Sequence, residues 1–450
     1  MERPRSSLAV PRGPAILTYS SDHFTQSNAP EIAIRRDLHR YPETAFLEYR
    51  TASRIAESLE AIGYSVRTGR DAMAPASIVS PPPAEIENEG KADALAHGGV
   101  ARWIERMAGG LTAVVAEKRF GDGPVLALRF DMDALALDET DRGGHAPRDG
   151  GFASARPGRM HGCGHDGHVA IGVCVAAALA QAEGLAGTLR FIFQPAEEGG
   201  RGAQPVIDAG ILDDVDHIFV AHLGCFLESG KVAASATGFL WSSKIEVRFD
   251  GRPSHAAMAP QEGRNALLAG ATAAGNLHAI SRVAGEETFV NVGRMTAGTA
   301  FNIIPDRCDL MMEVRAESEA GHAYMMARAE EIVAASAAMQ GVTSAMRVVS
   351  RLEGNFNSPE AVETVARAVR ALPGIELVDS WPIGGGDDAS KLIRRVQENG
   401  GTGAYFIIGS DIPAPHHAPD FDIDEGSLAI GRQIFEHIVR EILGKAQGQA

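Results

Sequence analysis

Met160-His-Gly-Cys-Gly-His-Asp-Gly-His168 runs without a break into the alanine-rich stretch 169–180, so a glycine turn crowded with metal-binding side chains opens an apolar helix. Cys163 and His165 stand two residues apart, and one tight turn can aim a thiolate and an imidazole at a single point. Further on, Gln194-Pro-Ala-Glu-Glu-Gly199 sets two adjacent carboxylates just past the apolar run 188–193, which reads as a buried strand. Near the far end stands Pro415-His-His-Ala-Pro-Asp-Phe421. Soft and hard ligands spread over the whole length, each at a strand end or a glycine turn, predict a catalytic metal site. A structural zinc site would instead gather its cysteines in close pairs.

Outward from this stretch, strand-like runs at 111–116, 125–130, 188–193 and 217–222 are interleaved with helical segments at 167–183 and 202–209. That alternation predicts an α/β layer with a mainly parallel sheet, whose ligands gather beyond the carboxyl ends of the strands. Asp131, Asp133, Glu197, Glu198 and His222 all fall there. From residue 236 the texture changes. Strands at 243–249, 289–295 and 308–315, helices at 265–280 and 322–339, and a further strand form a compact α+β insert of ferredoxin-like order. After 353 the first pattern resumes, with a helix at 359–371, a strand at 404–408 and a helix at 427–443. The expected architecture is an α/β domain over 29–235 and 353–450, interrupted by a smaller domain at 236–352. Residues 1–28 read as a flexible arm, 31–40 and 44–62 as helices, and Ser80-Pro-Pro-Pro83 with its charged sequel as a loop insertion before a short helix at 100–107.

The 450 residues carry 58 acidic against 42 basic side chains, a net charge of −16. This argues against a nucleic-acid or anionic-membrane surface. It also means that an anionic small molecule would need a local basic clamp. The four cysteines, Cys163, Cys174, Cys225 and Cys308, show no framework spacing, which suits a reducing compartment. With no signal-like apolar core near Met1 and no run of ~18 apolar residues, a cytoplasmic location is expected.

Asp131-Met-Asp-Ala-Leu135, His161-Gly-Cys-Gly-His-Asp-Gly-His168, Gln194-Pro-Ala-Glu-Glu-Gly199, Ala221-His222, Ser254-His-Ala256, Gly263-Arg-Asn-Ala266, Asn302-Ile-Ile-Pro305, Gly385-Gly-Asp-Asp388 and His417-Ala-Pro419 occur in that order. In these motifs the chain resembles the M20 metallopeptidases and amidohydrolases, in their aminoacylase- and hippuricase-like branch, over nearly all its length after residue 30. The resemblance implies two divalent ions, zinc or manganese, held by Cys163, His165, Glu198, His222 and His417, with Glu197 as general base. Its His-x-Pro spacing selects His417 over His416. The residues read compatibly, since adjacent Glu197 and Glu198 can divide metal binding from water activation. Asp133 is expected to orient a ligand from behind.

The resemblance further implies that the insert is a dimerisation and lid domain whose His255 reaches a partner subunit's site, in a homodimer or with a second homologous subunit. It places Arg315, and Asn302 beside it, on the substrate carboxylate. Read alone, Arg315 is also an ordinary surface arginine and His255 a surface histidine, while Cys174, Cys225 and Cys308 read as small hydrophobes. Two departures stand out: Asp387 occupies a place where relatives mostly carry Glu, and Gly162 one where Ala is usual. The implied activity is hydrolysis of N-acyl or N-aroyl amino acids, with acidic conjugates such as p-aminobenzoyl-glutamate preferred. The alternatives are an indole-3-acetyl-aspartate hydrolase, a general aminoacylase, and a non-catalytic binding subunit, which would have shed ligands or base that this chain keeps.

Overall fold

The computed structural model describes residues 29–354, 357–383 and 385–445; the expected arm at 1–28 lies outside the described residues. The strands are β1 (Ser65–Thr68), β2 (Val114–Arg119), β3 (Val125–Asp131), β4 (Thr188–Gln194), β5 (His217–Leu223), β6 (Lys231–Thr237), β7 (Trp241–Asp250), β8 (Thr288–Ala297), β9 (Arg307–Ala316), β10 (Thr343–Leu352), β11 (Glu376–Pro382) and β12 (Thr402–Ile408). Eight form one sheet in the order β1-β2-β4-β3-β5-β12-β6-β11, and four form another in the order β10-β7-β9-β8. The middle of the large sheet is parallel through β4, β3, β5 and β12, as the alternation of strand and helix predicts.

Those central strands are apolar on both faces because both faces are covered. Leu126, Leu128, Phe130, Phe191, Phe193 and Phe406 point into one core with the helices His165–Leu179 and Gly426–Leu443. Ala127, Ile192, Ile218, Tyr405 and Ile407 point into a second core with Ala203–Asp208 and Ala389–Glu398. The small sheet is antiparallel throughout and has one covered face. Val247, Phe249, Leu310 and Val314 pack against the helices Ala266–His278 and Glu319–Gln340. On the other face Lys244, Arg248, Met311 and Arg347 are exposed, while Ser242 is buried.

Three local expectations need correction. The helix expected over 44–62 begins only at Tyr49, because the Glu43 carboxylate accepts the Arg50 and Thr51 amides at 2.8 Å each and occupies the place of the first turn's missing partners. The stretch after Pro83 is a helix, Ala84–Ala96, rather than a loop. It buries only Ala94, so its good helix formers carried no apolar stripe to read. The strand expected at 111–116 lies at Val114–Arg119, in register with β1 and β4.

Candidate metal centre

The carboxyl ends of β3, β4 and β5 deliver the site. Two residues past β3, the Asp133 carboxylate accepts the backbone N–H groups of Glu197 (2.9 Å) and Glu198 (3.1 Å), holding the acidic pair in place after β4. Between Cys163 and His165 the chain turns through Gly164 at φ +92°, a conformation that glycine adopts without strain. His165 Nδ1 lies 2.8 Å from the Asp133 carbonyl oxygen, so that nitrogen donates, and in the neutral ring Nε2 keeps its lone pair. His222 does the same: Nδ1 is 2.8 Å from the Leu223 carbonyl oxygen, and Nε2 lies 3.6 Å from Cys163 Sγ. Glu198 closes the group, with Oε1 3.9 Å from His165 Nε2 and Oε2 3.2 Å from His417 Nε2. His417 takes φ +68°, tied down by a 2.8 Å hydrogen bond from its N–H to the Gly162 carbonyl; strain of this sort collects at functional sites.

Cys163, His165, Glu198 and His222 draw together; His417 reaches them through Glu198, and it is His416 that stands beside Cys163 and His222. All but the buried His165 line one cavity of about 480 Å³ with Glu197 and Arg315. Two atoms test whether a cation fits. Among the described residues His165 Nε2 and Glu198 Oε1 are both buried with no hydrogen-bond partner, a costly state for polar atoms unless something else binds them. The 3.6 Å between Cys163 Sγ and His222 Nε2 is what zinc bonds of about 2.3 and 2.0 Å would subtend at a tetrahedral angle.

Neighbouring imidazoles are engaged otherwise. His168 donates Nδ1–H to Asp131 (2.5 Å) and accepts the Leu223 amide at Nε2 (3.0 Å), which uses both nitrogens. His416 Nε2 accepts the Cys225 amide at 3.0 Å. In the neutral ring its Nδ1 then carries the proton and points it at Cys163 Sγ, 3.6 Å away. His161 is buried with both nitrogens unpartnered among the described residues, and burial depresses its pKa to about 3.

The electrostatics describe an anionic pocket short of positive charge. Burial, then Asp387, Glu198 and Asp388, push Glu197 well above the carboxylate range. Burial and the same acidic pair raise the Cys163 thiol. Burial opposes charge on His165, yet Asp131, Asp133 and Glu198 outweigh it and lift its pKa to about 10. For Glu198 burial is likewise overcome, here by His417 and His165, and its pKa falls.

Asp387, Asp388 and Glu197 form another close acidic group, but Arg129 fills it. Its guanidinium reaches Asp387 at 3.0 and 3.1 Å, Asp388 at 3.3 Å and Asp131 at 2.6 Å. Tyr405 Oη donates to Asp387 at 2.8 Å. The shortened Asp387 side chain thus ends on Arg129 and Tyr405. Sequence reading passed over Arg129, although a charge in the middle of Val-Leu-Ala-Leu-Arg-Phe-Asp, an otherwise apolar strand, was the available signal. Lys244, which lines the cavity, was missed as well; it stands at a solvent-side position of an alternating strand and looks like any surface lysine.

Two expected residues lie elsewhere. Asn302 and His255 are absent from the cavity of their own chain. They share the tip of the small domain, where the Ala256 amide donates to the Asn302 carbonyl (3.0 Å) and His255 bridges to Ile303. Beside them Phe301 is wholly exposed and Met258 is 82% exposed. Arg315 does line the cavity; it pairs with Glu313 at 3.1 Å, and its Nε is buried without a partner among the described residues.

Residues 127–441 match the description Peptidase family M20/M25/M40. The chain is 40% identical over 400 residues to the indole-3-acetyl-aspartic acid hydrolase of Enterobacter agglomerans, covering 88% of this chain and 92% of that protein. It is 38% identical over 418 residues to one of the named subunits of the p-aminobenzoyl-glutamate hydrolase of Escherichia coli, covering 91% and 95%. Among solved structures, an aminobenzoyl-glutamate utilization protein from Klebsiella pneumoniae superposes with a TM-score of 0.79 at 34% identity, over 93% of this chain and 97% of that one. A Bacillus subtilis protein described as a dinuclear metal binding peptidase of the M20 family superposes with a TM-score of 0.66 at 25% identity, over 95% and 100%.

Proposed function

This chain belongs to peptidase family M20/M25/M40, and we propose that it is a metal-dependent amidohydrolase that cleaves the amide between an acyl or aroyl group and an acidic amino acid. The observation that carries this reading is the pair of buried, partnerless ligand atoms, His165 Nε2 and Glu198 Oε1, beside a carboxylate, Glu197, that no metal ligand role consumes. The two enzymes named above differ in acyl group, indole-acetyl against aminobenzoyl, but both carry an acidic amino acid on the amine side.

In this reading Cys163, His165, Glu198, His222 and His417 hold the ions, and Asp133 positions both His165 and the acidic pair. Two divalent ions bound there would polarise the amide carbonyl and lower the pKa of an attacking water. Glu197 takes the water's proton on a carboxylate oxygen and returns it to the leaving nitrogen. Arg315 binds the α-carboxylate through charge-assisted hydrogen bonds, its free Nε included. His416, by its tautomer, directs a proton at Cys163 Sγ and serves to orient the thiolate. Zinc suits the thiolate; manganese suits the carboxylates and an open position.

We take 236–352 as the lid domain and the active form as a homodimer. His255 and Asn302 sit on an apolar-rimmed tip outside the lining of their own cavity, and β8 ends its sheet as an edge with Phe289 and Met295 exposed, a place that needs cover. The Escherichia coli relative is named as one subunit of its enzyme, which leaves room for a second homologous chain. No described helix is long and apolar enough to cross a membrane, and four buried, unpaired cysteines suit the cytoplasm.

The test is a hydrolysis panel of N-acyl and N-aroyl glutamates, aspartates and neutral amino acids with zinc, manganese and cobalt. Release of the amino acid from acidic conjugates is expected; a faster release from alanine conjugates would favour a general aminoacylase, and none from any conjugate would refute the reading.

A further inference from the structure

We propose that Lys244 recognises a second, side-chain carboxylate on the substrate's amino acid, so that Lys244 and Arg315 together select acidic conjugates. The inference deepens the amidohydrolase reading and rests on it for the nature of the ligand. It starts from charge: in a chain of net charge −16, Lys244 and Arg315 are the lysine and arginine side chains that line the cavity of Cys163, Glu198 and His222 among the described residues.

The small sheet sets their spacing. On β7 and β9, Ser242 pairs with Arg315 and Lys244 with Glu313, which makes Lys244 and Arg315 diagonal neighbours on the open face, roughly 7–8 Å apart at the backbone. Arg315 shares its row with Ser242 and Leu352. A Cβ at Gly200 or Gly386 would come within 2.8 Å of Leu352, and one at Gly200 within 2.6 Å of Ser350, so both rows abut the turn that follows Glu197 and Glu198. Lys244 lies in the next row, beside Ser350, and is exposed where Arg315 is half-buried.

An N-acyl amino acid has the same order. The α-carboxylate hangs from the carbon that bears the scissile nitrogen and must sit near the metals, within reach of Arg315. A carboxylate at the end of the side chain lies farther out, where Lys244 stands. Arg315 already has Glu313 at 3.1 Å. Lys244 is exposed and forms no ion pair among the described residues, so its charge is available. Its flexible stem and point charge accept carboxylates of differing reach better than a planar fork would, which fits both an aspartate and a glutamate side chain.

The test measures binding and turnover separately on the metal-loaded full-length protein. N-benzylglutamate and N-benzylglutamine have an amine where the substrate has its amide, so neither is cleaved, and they differ only in the second carboxylate. Calorimetry should give the glutamate compound roughly 10- to 100-fold tighter binding, the worth of one hydrogen bond to a charged group. Lys244→Met should collapse that ratio toward one, and Lys244→Arg should keep most of it. The ratio of kcat/KM for N-benzoylglutamate over N-benzoylglutamine should collapse in parallel, through KM. Arg315→Ala should weaken both compounds of each pair. A ratio near one in the unaltered protein, or a ratio that survives Lys244→Met, overturns the proposal. Absence of hydrolysis with the binding ratio intact would instead sink the amidohydrolase reading and leave the Lys244 subsite standing.

Discussion

Glu197→Gln offers the sharpest test of the site, because it changes charge and scarcely anything else. The Glu197 amide is held by Asp133 at 2.9 Å, and a glutamine keeps that bond and the volume of the side chain. The five proposed ligands stay untouched, so metal content should be unchanged. Turnover should fall by roughly 10²- to 10⁴-fold, the range for a general acid–base group, equivalent to about 3–5 kcal/mol of barrier. Stability should move the other way. Burial, then Asp387, Glu198 and Asp388, raise the folded-state pKa of Glu197; a raised pKa favours folding only below the unfolded value of about 4.3, and that contribution is lost as pH climbs through the folded value. Glutamine cannot ionise, so near neutral pH the chelator-treated variant should unfold at a higher temperature than the chelator-treated parent, and the gap should narrow toward pH 4. Elemental analysis, kcat on an N-aroyl glutamate and unfolding curves in chelator supply the three readouts. A kcat within tenfold of the parent at equal metal content would refute Glu197 as the base, and a lower apoprotein midpoint would refute the electrostatic account.

The remaining predictions concern ligands, scaffold and assembly. Cys163→Ala should lower metal content, and elemental analysis equal to that of the parent would remove Cys163 from the ligand set. Arg35→Gln should lower stability by about 3–5 kcal/mol in urea unfolding, since buried Arg35 bonds Asp166 at 2.9 Å and also pairs with Asp422 and Glu425. Arg35 and His39 hold the Asp166 carboxyl well below its usual range against the cost of burial, a contribution present above the unfolded pKa and lost on acidification, so the variant should also lose stability less steeply as pH falls. Mixing His255→Ala with Glu197→Gln should restore activity in exchanged dimers if His255 acts across the subunit boundary; confirmed exchange without recovery would confine His255 to its own chain or to no role.

Much of the site could be read before any coordinates because its signals are local. A strand must end where its apolar run ends, and a ligand placed at or just past that end has few directions to point; Glu197, Glu198 and His222 were legible for that reason, and Cys-Gly-His for the turn that glycine allows. Elements buried all round were legible too, as continuous apolar runs, such as His165–Leu179 and the strands of the parallel core. Ala84–Ala96 was not, because a helix that buries a single alanine leaves no periodic trace.

What the chain by itself determined is the kind of chemistry and the alternation of strand and helix that brings it to one edge. The tertiary structure alone decided which atoms are free to act. The partners of Nδ1 in His165 and His222 and of Nε2 in His416 are backbone groups, and these choose the nitrogen that faces the cavity. Arg129 closes the Asp387–Asp388 pair from 258 and 259 residues away in sequence. Lys244 and Arg315 become neighbours only through the β7–β9 register. The last two depend on a hydrogen bond or a pairing between residues far apart along the chain, and pairing at that range is set by packing the whole sheet, which no local pattern encodes.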